Sequence, residues 1–480
     1  MFDFARHVQR TRRDFLTSAA SGAGLAALAG MLRDDGLLAE ANDDSANPLS
    51  PRQPHFPAKA KSCIFIFLAG GTSHLDLFDP KPKLTELDGQ PIPESFTKGI
   101  RFSFTKPSQS PLMGSRFPFR RYGECGTEMS ELLPHIGESA DDIALVRSMH
   151  HEAFDHAPGE LEIITGIDLP GRPSFGAWLT YGLGSESQNL PGYVALINHR
   201  GPVARAMAWG NGYLPSVHQG VLFRNQGEPI LNLETPSDIR AEWHRAQLDA
   251  VRALNRLNAV RVRDPEIEAR IAAYELAFRM QSAAPELIDL AGETQSTLES
   301  YGVNREGQPG TFSRNCLLAR RLVERGVRVV SLFQRTWDQH KNLEGEIRAQ
   351  CREVDQPIGA LLRDLKQRGL LDSTLVVWGT EFGRTSITEN AKPGPDAGRD
   401  HHPHCFSMWL AGGGVKGGQV HGQSDELGWH VAEGGVHTHD FHATLLHLFG
   451  FDHKRLTFRH RGNEVRLTEV AGNVVTPLLA

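Results

Sequence analysis

The chain has 480 residues, 40% hydrophobic and 22% charged, with a formal net charge of −6. That is a globular composition, long enough for one large domain or two or three ordinary ones, and its acidic balance argues against a nucleic-acid partner, which shows as a basic excess. The five cysteines, Cys63, Cys125, Cys316, Cys351 and Cys405, are scattered with no C-x-x-C, which excludes a zinc ribbon and makes a poor disulfide framework.

At the N-terminus, Thr11-Arg12-Arg13-x-Phe15-Leu16 precedes a weakly apolar Ala/Gly/Leu run. This resembles a twin-arginine export signal. The run is too short for a comfortable membrane span, and Ala39-x-Ala41 offers a cleavage site before Asn42. The expected organisation is a signal peptide over 1–41, an Asp/Asn/Pro-rich linker over 42–60 and one domain over 61–480. It implies the twin-arginine translocase as a partner during export, a periplasmic or extracellular destination, and no membrane span after processing. Proteins using that route fold before export, often with a cofactor already inserted.

"SCIFIFLAGG" is a continuous apolar run ending in Gly-Gly, as in a strand buried on both faces of a parallel sheet. "GYVALIN", "VRVVSLFQ", "STLVVWG" and "CFSMWLAGG" read alike. Between them lie helical patterns: "SDIRAEWHRAQLDAVRALNRLNAVR" and "DPEIEARIAAYELAFRM", opened by Ser or Asp caps, then "TFSRNCLLARRLVERG" and "EIRAQCREVDQPIGALLRDLKQRG", closed by Gly, and "HDFHATLLHLFG", capped by Asp440. Strands alternating with helices predict an α/β fold with a mostly parallel central sheet flanked by helices.

Each of three strands runs into a polar cluster: "GGTSHLDLFDPK", "RTWDQHKN" and "GTEFGRT". Ligands of open α/β sheets bind beyond the carboxyl ends of the strands, so His74, Asp76 and Asp79, then Asp338 and His340, then Glu381 are expected to converge. Mixed carboxylates and imidazoles suit a divalent metal. In an extended segment, Asp338 and His340 share a side, as do His74 and Asp76. Each pair also admits a plainer role: Asp76 or Asp79 capping a turn, Asp338 only orienting His340. "HHEAFDHAPGELEIITG" holds His150, His151, Glu152, Asp155 and His156 ahead of a helix that Pro158 starts nearby, and a helix N-terminus attracts anions. "GRDHHPHC", with Asp400, His401, His402 and His404, is either a polar surface loop or a ligand loop. It precedes a strand, so it must return to the edge where that strand begins. Cys405 reads as a small buried residue opening that strand.

The order of these parts resembles the alkaline phosphatase superfamily, most nearly its sulfatase branch. The carriers are "EIITG" and the tail "FSMWLAGGGVKGG…GVHTHDFHATLLHLFG". Nearly the whole chain is identified with a bacterial exported family, domain-of-unknown-function family fifteen-oh-one, through "GGTSHLDLFDPKP", "LPGRPSFGAWLTYGLGSE", "WDQH", "GTEFGRT", "GRDHH" and the tail. The resemblance implies an alkaline-phosphatase/sulfatase-like sandwich bearing metal at one sheet edge. Against the sulfatase pattern, His156 stands at the nucleophile position of "HAPGELEIITG" and Glu160 at that of its arginine, and Gly70-Gly71 replace the Asp pair ending the first strand. Asp338 and His340 look like the superfamily's mid-chain ligands. Glu381-Phe382 stands where an Asp-His pair would, so Phe382 is a lost ligand, which Asp400 and His401 replace, with His402 behind them or against substrate.

The expected function is therefore an exported metal-dependent hydrolase of phosphate or sulfate esters, acting through metal-activated water on a small-molecule or glycan ester. The ligand candidates are His74, Asp76, His156, Asp338, His340, Glu381, Asp400 and His401, for one or two ions of Zn, Mn, Fe or Ca. The catalytic candidates are His156 as ligand or acid/base, Thr72 and Ser73 as fallback nucleophiles, and Arg384, with Lys81, toward anionic oxygens. The rival is a non-catalytic exported metal- or glycan-binding protein on a degenerate phosphatase fold.

Overall fold

The computed structural model describes residues 48–480 except 99–105, 107–108, 199, 225–227, 232, 234–240, 263–264, 304–310 and 390–393. The export signal at 1–41 and the Ser and Asp caps expected before the two long mid-chain helices lie outside these residues. No helix among the described residues is long and apolar enough to cross a membrane.

The predicted apolar runs are strands. They are β1 (Ser62–Ala69), β2 (Ile143–His150), β3 (Tyr193–Asn198), β4 (Val221–Phe223), β5 (Val329–Arg335), β6 (Thr374–Gly379) and, after the hairpin β7 (Gly383–Thr388) and β8 (Arg399–His402), β9 (Phe406–Ala411). Short β10 (Gln419–His421) and β11 (Val436–His437) complete the set used here. The main sheet runs β10-β2-β9-β6-β1-β5-β3-β4, with β11 also on β2. All its pairings are parallel except those of β9, which is antiparallel to both β6 and β2. The α/β class with a mostly parallel sheet is as expected.

All eight positions of β1 are buried. Alternation splits its side chains between two cores. Ile64, Ile66 and Leu68 face one, which includes α6 (Thr311–Glu324) and α7 (Leu343–Gln367). Phe65 and Phe67 face the other, with α2 (His156–Thr165), α3 (Phe175–Leu183) and α8 (Thr438–Leu448). The short helix α1 (His74–Leu77) follows β1, and α4 (Ala241–Val262) and α5 (Pro265–Ile288) form the expected mid-chain pair.

Three local expectations are revised. Asp440 is not the cap of α8: His437 is, and Asp440 sits one turn in, its carboxylate accepting the His437 N–H at 3.2 Å, because the two side chains close a reciprocal capping box. Residues 48–60 lie on the body. Arg52 N–H donates to Leu183 O (2.9 Å) and Lys59 N–H to Leu448 O (2.9 Å). "GRDHH" is neither surface nor loop: Arg399–His402 is a strand with four buried residues, paired with β7.

Candidate metal centre

β1, β2, β5 and β6 are mutually parallel in direction, so their carboxyl ends share one edge. β9 runs the other way, so it begins at that edge, and the chain leading into it arrives there too. This is how "GRDHH" reaches the strand ends. His156 opens α2 beyond β2, with Asp155 as N-cap accepting its N–H at 2.9 Å. Asp338 and His340 lie in the turn between β5 and α7. Two non-glycine residues with left-handed backbone bracket that turn, Thr336 (φ 129°) and Asn342 (φ 45°). For a β-branched residue such a conformation is costly and persists only where the surroundings impose it.

One ligand atom each from His156, Asp338, His340 and His401 lies within 4.8 Å of the others. Asp338 is the hub. Its Oδ2 is 3.1 Å from His156 Nε2, and its Oδ1 is 2.8 Å from His340 Nε2 and 3.3 Å from His401 Nε2. The Nε2 atoms of His340 and His401 stand 3.1 Å apart. The opposite ring nitrogens fix the tautomers. His156 Nδ1 meets Glu381 Oε1 at 2.9 Å, His340 Nδ1 meets Glu389 Oε2, and His401 Nδ1 meets Phe154 O at 2.9 Å. All three partners are acceptors, so each Nδ1 donates, and whenever the ring is neutral its Nε2 holds the lone pair. With the rings neutral, three lone pairs and a carboxylate therefore face one another. That arrangement is repulsive when empty and fits a cation.

The protonation pattern agrees. Burial works against charge on His156, but the carboxylates of Asp338 and Glu381 overcome it and raise the imidazole to about 10. Burial would raise Asp338, yet its contacts with His156, His340 and His401 hold it far below the usual carboxylate range. In the absence of a cation, a proton does the neutralising. Side-chain exposure falls from 36% at Asp338 through 25% at His340 and 15% at His156 to 3% at His401, so the cluster opens to solvent on the Asp338 side.

Glu381 is wholly buried and works behind His156: besides that imidazole, its Oε1 accepts the Gly70 N–H at 2.7 Å. Arg384, also wholly buried, donates to Asp338 Oδ1 (2.7 Å) and to the carbonyls of Gly70, Gly71 (2.8 Å), Trp337 (3.2 Å) and Arg399 (3.0 Å). It clamps the strand ends together, and its contacts are to the protein. Gly70 and Gly71 are required by that closeness. A Cβ on Gly70 would stand 2.6 Å from the Trp337–Asp338 backbone, and one on Gly71 2.6 Å from the Phe382 ring. Phe382 stacks on His401, ring centroids 4.4 Å apart.

The other candidates lie elsewhere. His74 Nε2 contacts Gly428 O (3.1 Å), and Asp76 is paired with Arg399 at 2.9 Å and accepts the Ser73 hydroxyl at 2.5 Å. Thr72 and Ser73 are buried. The Asp400 carboxylate accepts the His401 N–H at 2.8 Å, outside the cluster. His402 packs on Trp429, and Lys81 is paired with Asp79 at 3.0 Å. Glu389 gives no signal in the sequence, because it stands near no imidazole there, whereas Glu160 lies one turn of α2 after His156 but shows only as the residue at an arginine's place. Glu160 accepts the N–H groups of Val203 (2.9 Å) and Ala204 (2.6 Å), and burial beside Glu381 pushes its carboxyl up to about 8.

Several solved structures are similar. The lipoteichoic acid synthase LtaP from Listeria monocytogenes is 8% identical, over 88% of this chain and 79% of that one, with a TM-score of 0.36. The PsFucS1 sulfatase from Pseudoalteromonas sp. is 12% identical, over 90% and 72%, with a TM-score of 0.34. The alkaline phosphatase from the Antarctic bacterium TAB5 is 11% identical, over 75% and 94%, with a TM-score of 0.29. Likenesses this weak carry no chemistry from those proteins to this one. No curated protein matches the sequence. The model of one family matches residues 60–479, and the chain belongs to it: "Protein of unknown function (DUF1501)".

Proposed function

We propose that this protein is a metal-dependent hydrolase of phosphate or sulfate esters, built around one divalent ion held by His156, Asp338, His340 and His401. The observation that carries the reading is the convergence of three Nε2 lone pairs on a carboxylate, each imidazole fixed from behind by an acceptor. Imidazole-rich donors favour Zn, Fe or Mn over Ca, which takes oxygen ligands. A bound ion would supply positive charge for the ester oxygens and lower the pKa of a water. The chain's own residues do the rest. His156, on the first turn of α2, presents the helix N-terminus toward an anion, and Asp338, the most exposed of the four, leaves a solvent-facing approach. With Thr72 and Ser73 buried, water is the better-placed nucleophile.

A second reading is favoured by the donor count. Four protein donors satisfy a tetrahedral ion, as in structural zinc sites, whereas catalysis needs an open position. A non-catalytic metal- or glycan-binding protein would then result. The test loads purified protein with Zn, Mn or Fe and assays p-nitrophenyl phosphate and p-nitrophenyl sulfate. Metal-dependent turnover supports hydrolysis; about one tightly held ion with no turnover supports the metal-binding protein; no bound ion sinks both of these and leaves only a glycan-binding protein. Export by the twin-arginine route belongs to the same proposal. Replacing Arg12 and Arg13 by Lys should block it.

A further inference from the structure

The wall of the site nearest α2 carries cations without partners. Arg335 closes β5, opposite Ala69 of β1 and three residues before Asp338. Alternation puts it on the same face as Phe333, in the core shared with α2. Beyond β3 the chain folds over that face. Its residues Val203 and Ala204 are tied by their N–H groups to Glu160, which sits one turn of α2 from His156. Arg205 follows directly and Arg200 lies just before. Both arginines are exposed, and Arg335 is half-buried. None of the three has a hydrogen-bond or ion-pair partner through its guanidinium among the described residues. The Glu160 carboxylate is already committed to backbone N–H groups. Arg205 also has a left-handed backbone (φ 52°), a conformation uncommon for a non-glycine residue and concentrated at binding sites.

A chain of net charge −6 that leaves three guanidinium groups unpaired among the described residues, beside a cluster of candidate metal ligands, is arranged to receive anions from solvent. The ion and the cluster would take the scissile ester, and the arginines lie to one side of it, on the α2 face. We propose that Arg335, Arg205 and Arg200 form a subsite for a second anionic group of the substrate, so that the ester is one carried on a polyanion. This rests on the hydrolase reading and names its substrate class. Guanidinium forks match sulfate and phosphate oxygens bidentately, and several shallow contacts of this kind suit a repeated charge better than a single buried one.

The test uses zinc-loaded full-length protein at constant ionic strength and two probes, inorganic sulfate and sucrose octasulfate, with affinities measured by calorimetry. The octasulfate should bind about a hundredfold more tightly than sulfate. The Arg335→Gln/Arg205→Gln variant should lose about tenfold or more in octasulfate affinity while keeping its sulfate affinity, and Arg120→Gln/Arg121→Gln, the same loss of two charges on an exposed hairpin elsewhere, should lose nothing. Equal octasulfate affinity in all three proteins overturns the proposal, and so does equal loss in the Arg120/Arg121 variant, which would show general attraction. Arginine-dependent binding that sulfate cannot compete with would also overturn it, by separating the arginines from the centre. The readout is binding, so absence of esterase turnover would count against the hydrolase reading without being confused with these outcomes.

Discussion

β1 and β5 are neighbours in the sheet, and each runs into an imidazole and a carboxylate two residues apart: His74-x-Asp76 after one, Asp338-x-His340 after the other. Both carboxylates also meet a buried arginine from the same hairpin, Arg399 for Asp76 and Arg384 for Asp338. The outcomes differ. Asp76 is fully buried and faces one cation and one hydroxyl, so its charge is matched inside the protein. Asp338 is 36% exposed and is shared by three imidazoles as well as its arginine. The cause is backbone. Gly70 and Gly71, both at positive φ, turn the chain away after β1, and α1 then carries His74 and Asp76 into the interior. After β5, Thr336 and Asn342 hold a turn that keeps Asp338 and His340 at the edge. Identical donor spacing therefore specifies a ligand pair only where the backbone leaves the donors facing solvent and further imidazoles.

The sharpest way to break this comparison is to remove each carboxylate. Asp338→Asn should abolish stoichiometric metal and lower any metal-dependent turnover by about three orders of magnitude or more, since the hub of the cluster loses its charge. Metal analysis of the folded variant checks this, and a full equivalent of retained metal would show that Asp338 is not the hub. Asp76→Asn should do the reverse. It strands Arg399 in the core, costing about 3–5 kcal/mol, visible as a fall in melting temperature, while the metal content of the folded fraction stays unchanged.

The two regions should also respond oppositely to pH. His156 in the metal-free protein is raised from 6.5 to about 10, so it stays protonated in the folded state while the unfolded chain loses its proton. Its stabilisation is complete below pH 6.5 and disappears as pH climbs toward 10, a change on the order of 5 kcal/mol. His74 is lowered by burial, so it opposes folding only below pH 6.5. Metal-free protein should thus weaken on the alkaline side, and zinc-loaded protein should not, because the ion replaces the proton. Denaturant melts from pH 6 to 10 with and without zinc decide it; parallel curves would refute the assignment.

Much of this was legible in the sequence. The apolar runs announced the strands, and the polar residues after them announced an edge. Of the candidate ligands, His156, Asp338, His340 and His401 do assemble. Periodicity could not reveal the direction of β9, which is what brings His401 to the edge, nor the Gly-Gly turn that withdraws His74 and Asp76. Arg384 and Glu381 were visible as polar residues after β6, but their inward direction depends on the packing of four strand ends.

Glu389 was invisible for a further reason, and it supports the smallest prediction. It directly follows the hairpin strand β7, 49 residues after His340, and is positioned by its N–H donating to Gly398 O at 3.0 Å. Its carboxylate accepts the His340 Nδ1–H, as Glu381 does for His156. Carboxylates behind a ligating imidazole fix its tautomer and raise its basicity, and their loss typically costs about 10–100-fold in metal affinity. A Gln at 389 still offers an oxygen to Nδ1 but no charge, so Glu389→Gln should weaken zinc binding by only about threefold, and Glu389→Ala by about tenfold or more. The same two steps at Glu381 should cost more, because Glu381 is wholly buried and also holds Gly70, whereas Glu389 is 22% exposed. Zinc titration against a competing chelator measures all four variants. If Glu389→Ala binds zinc as tightly as the parent, His340 is held by its turn alone, and the difference between the β1 and β5 ends lies entirely in the backbone.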